Sequence, residues 1–172
     1  MASASSKRVS ISVAAETIAT FAVVPWLGGL VALGAFAAPR VFGILDRETA
    51  GSVMGPIFRN FDTLVIVAAT VFAAAEIARV VAVGARGWLA RARVAAGAAL
   101  VACGLMSALW LGPQIAEAFD AGVRRDHTSD AGRAMDIAHS RAELAGKTAI
   151  LLGAIWLALG VAARRTENRT TP

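Results

Sequence analysis

The chain has 172 residues, 57% of them hydrophobic, with a mean hydropathy of +0.63, a formal charge of +5 and a pI near 10.9. That composition is one domain by length and too apolar for a water-soluble globule, so it points to a membrane protein. The basic residues stand in short clusters beside apolar runs and are not interleaved with aromatics, which excludes nucleic acid as a partner and leaves the lipid bilayer.

Residues 1–15 are small and polar, with Lys7 and Arg8 as the charges. Residues 17–38 then carry no charge up to Pro39, long enough to cross a hydrocarbon core at about 20 residues per span. Pro25, Gly28 and Gly29 predict a bend in this first span. Ala35-Phe36-Ala37 has the form of a signal-peptidase site, but the apolar run is longer than a signal core of about 7 to 15 residues, so a retained helix is expected.

Between residues 41 and 63 charges return while Ala50, Val53, Met54, Ile57, Phe58, Phe61 and Leu64 keep helical spacing. The spacing predicts an amphipathic helix lying at the membrane interface, capped by Asp46, with Glu48 complementing the dipole and Pro56 interrupting it. The alternative is an ordinary polar loop.

Residues 64–83 form span two. Glu76 lies a few residues past its middle, close to the midplane at the helical rise. An intramembrane carboxylate is costly unless paired, protonated or facing water. Arg79, at i+3, is placed to pair with it and to snorkel to the surface. Glu76 and Arg79 are therefore either a structural pair or an ion- or proton-coupling site.

A short connection holding Arg86, Arg91 and Arg93 makes spans two and three antiparallel neighbours, with span three at residues 94–111 and a disturbed ladder at Gly112-Pro113. Cys103, the single cysteine, reads as a packing residue and excludes a disulfide or a CxxC pair. A charged segment follows to Lys147, in which Thr128 or Ser129 caps a helix running directly into span four, residues 148–163. The polar tail from Arg164 onward is expected to fray.

Small residues mark the packing faces. Gly97 and Gly104 lie in span three, and Ala142, Gly146, Ala149, Gly153, Gly160 and Ala163 form a seam on span four, interrupted by Trp156. Such seams allow close backbone contact in lipid, either within the bundle or between copies in a homo-oligomer. The expected fold is an all-α membrane four-helix bundle with amphipathic helices in its first and third connections.

With four spans, both termini share one side. That side carries nine Lys and Arg (Lys7, Arg8, Arg79, Arg86, Arg91, Arg93, Arg164, Arg165, Arg169) and a net +6, against eight and a net −1 opposite. The positive-inside rule then puts both termini in the cytoplasm. Abundant Ala and an excess of Arg over Lys fit a bacterial cytoplasmic membrane.

Two further polar constellations bear on chemistry. Asp136, His139 and Glu143 fall on one helical face and could touch a metal, but no further ligand strip accompanies them, and a solvated face with Lys147 pairing to Glu143 is the plainer reading. His127 and His139 lie outside the spans, a poor arrangement for haem. No Walker loop, GxSxG or dinucleotide glycines occur, so neither a cofactor nor an enzymatic reaction is expected.

The segment from Gly34 through Pro39, Arg40, Val41 and Phe42, followed by Leu45, Ala50-Gly51 and Ile57-Phe58, resembles the first-span and first-loop signature of the transmembrane protein 205-like family. His139-Ser140-Arg141 before an apolar span resembles its second signature. The resemblance implies four transmembrane helices with amphipathic connections and no established reaction. Through the drug-resistance association of an animal member, it also hints at export or trafficking. On this reading the protein is a structural, interaction or stress-related membrane component, and alternatively a small transporter coupled through Glu76.

Overall fold

A computed structural model describes the backbone of residues 2–125 and 128–170 and the side chains of residues 6–125 and 128–164. Among the described residues six α-helical stretches form four continuous rods. The first comprises α1 (Ala2–Val31), a π-helical stretch (Ala32–Ala37) and α2 (Ala38–Ile44). The second is α3 (Arg47–Val83). The third comprises α4 (Gly87–Met106), a second π-helical stretch (Ser107–Leu111) and α5 (Gly112–Asp120), and the fourth is α6 (Asp130–Thr170). Four of these helices are long and apolar enough to cross a membrane, and each predicted span lies inside one rod.

The connections are shorter than the sequence suggests. Asp46 caps α3 as expected: its Oδ1 accepts from the Glu48 and Thr49 amides at 3.0 Å each, and its Oδ2 accepts from the Thr49 hydroxyl at 2.7 Å. The helix it starts is not a separate interfacial element, however, and Pro56 does not interrupt it. Pro56 sits inside 37 continuous helical residues, so the expected first-connection helix is the outer part of span two itself. Ala50 and Met54 from its predicted stripe are buried, whereas Val53, Ile57, Phe58 and Leu64 are exposed. Likewise the charged third segment is mostly helix: Ser129 Oγ accepts from the Gly132 amide at 2.9 Å to cap α6, which runs unbroken into span four, with helical backbone as far as Thr170.

Asp46's carboxyl is held below the usual aspartate range, chiefly by its bond from the Thr49 hydroxyl. A depressed folded-state value means the cap stabilises above the unfolded pKa and is lost as pH falls through the folded one. Amide exchange at Glu48 and Thr49, corrected for its intrinsic pH dependence, is expected to show less protection below about pH 4 than at pH 6. Asp46→Asn should abolish that pH step.

The predicted departures from regular helix fall elsewhere than expected in span one. The chain stays α-helical through Pro25, Gly28 and Gly29, and widens at Ala32–Ala37, just before Pro39. The second widening, Ser107–Leu111, precedes Pro113 in the same way. Ala38 N-H donates to Leu33 and Gly112 N-H to Ser107, both five residues back. Proline brings no N-H and its ring collides with the carbonyl four residues earlier, so a wider turn immediately upstream relieves both problems.

Inside the bundle most core side chains are small: Ala19, Ala22, Ala68, Ala69, Ala75, Ala96 and Ala149 are buried around three large rings, Trp26, Phe72 and Trp156. Large apolar side chains cover the outside, with Phe21 76%, Ile44 79% and Val81 80% exposed. In water this distribution would be strongly unfavourable, at about 25 cal/mol per Å² of exposed apolar surface, and in lipid it costs nothing. The chain is an all-α multi-pass membrane protein.

Glycines set the helix spacing. Gly104 faces the indole of Trp26, Gly153 faces Leu27, and Gly97 faces Phe72 and Trp156. Gly146 makes only ordinary contact with Leu30. The predicted seams therefore lie inside the bundle. α1 packs chiefly on α3 and α4 on α6.

Side-chain contacts define the two ends. At one, α1, α3, α4 and α6 meet through Glu16, Glu76, Arg93 and Arg164. At the other, Arg124 reaches Glu48 at 2.9 Å, Phe119 packs on Gly51, and Asp62 on Gly112. The start of α1 and the end of α6 thus share an end, together with the tight α3–α4 turn, where Gly84 and Gly87 take positive φ values of 79° and 78°.

Candidate functional site

The charges that sequence spacing distributes over three segments converge into one buried network. Glu76 and Arg79 pair across a single turn of α3, with Arg79 Nη2 donating to Glu76 Oε2 at 3.0 Å and Arg79 Nε lying 3.2 Å from the same oxygen. Arg79 does not snorkel outward; it is 7% exposed and stays within the bundle, because its carboxylate partner lies inward. Glu76 is about 10 Å from the α3–α4 turn by helical rise.

Arg93 is the hub. It projects from α4, is 4% exposed, and donates from Nη1 to Glu16 Oε1 of α1 at 2.8 Å and from Nη2 to Glu76 Oε1 at 3.3 Å. Its guanidinium lies over the Trp156 ring of α6, 4.5 Å from the centroid, and Trp156 meets Phe72 of α3 edge-on at 5.0 Å. Gly160 makes the close approach feasible, since a Cβ there would stand 3.1 Å from Arg93 Nη1. Arg164 closes the set from the end of α6, with Nη2 3.2 Å from Glu16 Oε1, and is largely exposed. One arginine side chain thereby touches all three other helices.

Chemically, the arrangement is two carboxylates held by three guanidiniums. Both oxygens of Glu76 are engaged, and Glu16 Oε1 is shared by Arg93 and Arg164. Buried ions in such a site are tolerated only when every charge finds a partner.

Sequence spacing pairs Glu76 with Arg79, whereas Glu16, Arg93 and Arg164 stand in the sequence only as orientation signals. A usable signal was present: each is the charge that borders its span on the same side, so an up-down topology sets them at one level. What the spacing could not supply is the helix rotation that turns Arg93 inward.

The remaining candidates lie away from this network. Arg40 and Phe42 are exposed on α2 beside Pro39, and Gly51 lies at the opposite end against Phe119. His139 Nδ1 is 3.0 Å from the Met135 carbonyl, about 37 Å along α6 from Arg164 by helical rise. Asp136 pairs with Arg125, and Glu143 accepts from Lys147 at 2.7 Å, so the three weak metal candidates each have a separate partner. Among the described residues no three metal-ligating side chains converge. His127 lies outside the described residues.

A known family matches residues 21–124, more than half of the chain, from the middle of α1 to just beyond α5. That stretch contains Glu76, Arg79 and Arg93, and leaves Glu16, Arg164 and His139 outside. No curated protein and no solved structure gives a match. On the extent of the family match, the chain belongs to the family described as Domain of unknown function (DUF4149).

Proposed function

We propose that this protein is a non-enzymatic structural or interaction component of a bacterial cytoplasmic membrane, with both termini in the cytoplasm. Its relation is to transmembrane protein 205-like proteins within the wider family. The observation that carries the structural role is Arg93, which joins the carboxylates of two helices while resting on the ring of a third. Charges committed in this way hold helix ends together. Sidedness follows from the basic excess at the end where the termini lie, and a reporter fused after Pro172 and active only outside the cytoplasm would overturn it. The small-residue seams are spent inside the bundle, so any homo-oligomer uses another surface.

The second reading, a small transporter coupled through Glu76, draws on the same network. Its outer acceptor, Glu16, is shared with the exposed Arg164, which gives the buried pair a link to solvent. Solute flux into proteoliposomes separates the two. The structural reading expects equal flux with and without protein, for wild type and Glu76→Gln alike. Protein-dependent flux that Glu76→Gln abolishes would replace it with the transport reading.

A further inference from the structure

We infer that the end of the bundle bearing the ion network binds anionic phospholipid headgroups through a collar of free cations, Lys7, Arg8, Arg86 and Arg91. The inference needs only the membrane placement, and stands whichever way the chain is oriented and whatever its activity.

Three observations carry it. The first is an imbalance created by the fold. Among the described side chains, the acids at this end are Glu16 and Glu76, and both are consumed by Arg79, Arg93 and Arg164. Lys7, Arg8, Arg86 and Arg91 are therefore left exposed, with no carboxylate partner among the described residues. At the opposite end the balance differs: Arg124, Arg125, Arg133 and Lys147 each have a carboxylate partner, and although Arg40, Arg47, Arg59 and Arg141 are exposed and unpaired among the described residues, the eight described cations there face eight described carboxylates.

The second is depth. On α1 the exposed apolar surface extends out through Ile11 and Val9, and on α3 through Ile77, Val81 and Val83. Arg8 with Lys7, and Arg86, follow immediately beyond those last apolar residues. Counted along the helices, Arg8 stands about 12 Å further out than Glu16, and Arg86 about 10 Å further out than Arg93. Lys7, Arg8 and Arg86 thus lie where hydrocarbon gives way to headgroups, and the exposed Arg91, about 3 Å further out than Arg93, reaches that level along its side chain. The third is Trp88, 73% exposed between Arg86 and Arg91, a residue type that prefers this boundary.

Phosphate diesters at that level are the complementary charge. Each basic side chain near an anionic surface raises the preference for it about fivefold, an effect that salt screens. Four together should favour phosphatidylglycerol over phosphatidylcholine by roughly two to three orders of magnitude at low salt.

The test uses the full chain in non-ionic detergent, titrated with phosphatidylglycerol, phosphatidylcholine or inorganic phosphate. Retained lipid is read by native mass spectrometry and the thermal transition by circular dichroism. Wild type is expected to retain phosphatidylglycerol and gain stability from it alone. The variant K7Q/R8Q/R86Q/R91Q, altered only at exposed positions, should bind it at least about 100-fold more weakly at low salt. The control R40Q/R47Q/R59Q/R141Q, exposed cations away from the network end, should stay within about threefold of wild type. Equal retention of phosphatidylcholine, full retention by the first variant, an equal loss in the control, or the same stabilisation by phosphate alone would each overturn the inference.

Discussion

Glu76→Leu is expected to lower the stability of the bundle by about 3–5 kcal/mol, the usual result of removing one partner from a buried ion pair. The change leaves Arg79, 7% exposed, without an acceptor, and leaves Arg93 with Glu16 alone. A buried guanidinium must then recruit water or pull its helix outward. Reversible unfolding in mixed micelles, followed by circular dichroism, measures the effect, and a loss under about 1 kcal/mol would mean that the network carries little of the helix contact.

The companion variant separates a structural network from one retained for function. Glu76→Leu/Arg79→Leu/Arg93→Met removes the buried core of the network as a unit, while Glu16 keeps Arg164 at 3.2 Å. Replacing a complete buried ion set by apolar side chains of similar size is often neutral or stabilising. The triple variant is therefore expected within about 2 kcal/mol of wild type although one of its component changes is severe. If the triple variant is as unstable as Glu76→Leu, the damage lies in packing against Trp156 and not in stranded charge.

Gly104→Ala is the second large effect. The added Cβ would fall on the six-membered ring of Trp26, which is 1% exposed and enclosed by the core. The indole has nowhere to retreat, so overpacking of about 1–3 kcal/mol is expected, and Gly104→Leu should prevent folding altogether. Gly153→Leu is expected to weaken the bundle less than Gly104→Leu, because the obstacle there is the end of the Leu27 side chain, which can change rotamer. Gly28→Ala is the control: nothing lies within 4 Å of the new methyl, and stability should stay within about 0.5 kcal/mol. Thermal transitions and elution volumes in detergent check all four. Trp26→Leu combined with Gly104→Ala should recover part of the loss, and no recovery would show that the clash is not with the indole.

These contrasts show which features can be read along the chain and which cannot. The apolar runs give the number of spans because a hydrocarbon core admits only hydrogen-bonded helices of sufficient length. The Asp46 and Ser129 caps are legible because capping is a local exchange between a side chain and amides two or three residues on. Pro56 misleads because a proline inside a long helix is tolerated when packing holds both halves, whereas Pro39 and Pro113 are accommodated by widened turns that begin up to seven residues upstream. The amphipathic stripe from Ala50 to Leu64 is real as a spacing, but Ala50, Met54 and Phe61 pack into the bundle while Val53, Ile57, Phe58 and Leu64 face lipid or solvent. Spacing alone carries no information about which of these faces a residue.

By itself the sequence determined the solvent: four charge-poor stretches can reach low free energy only in lipid, and alternation of spans then places both termini at one end. It also determined the Glu76–Arg79 pair, since residues three apart on a helix are neighbours in any fold. Only the tertiary structure decided that Glu16, Arg93 and Arg164 join that pair, that Gly104 and Gly153 face Trp26 and Leu27, and that four cations remain free at the boundary. Each of those outcomes depends on the rotation of one helix against another. That rotation is set by the packing of small residues against three large rings, a property of the assembled bundle that no single helix contains.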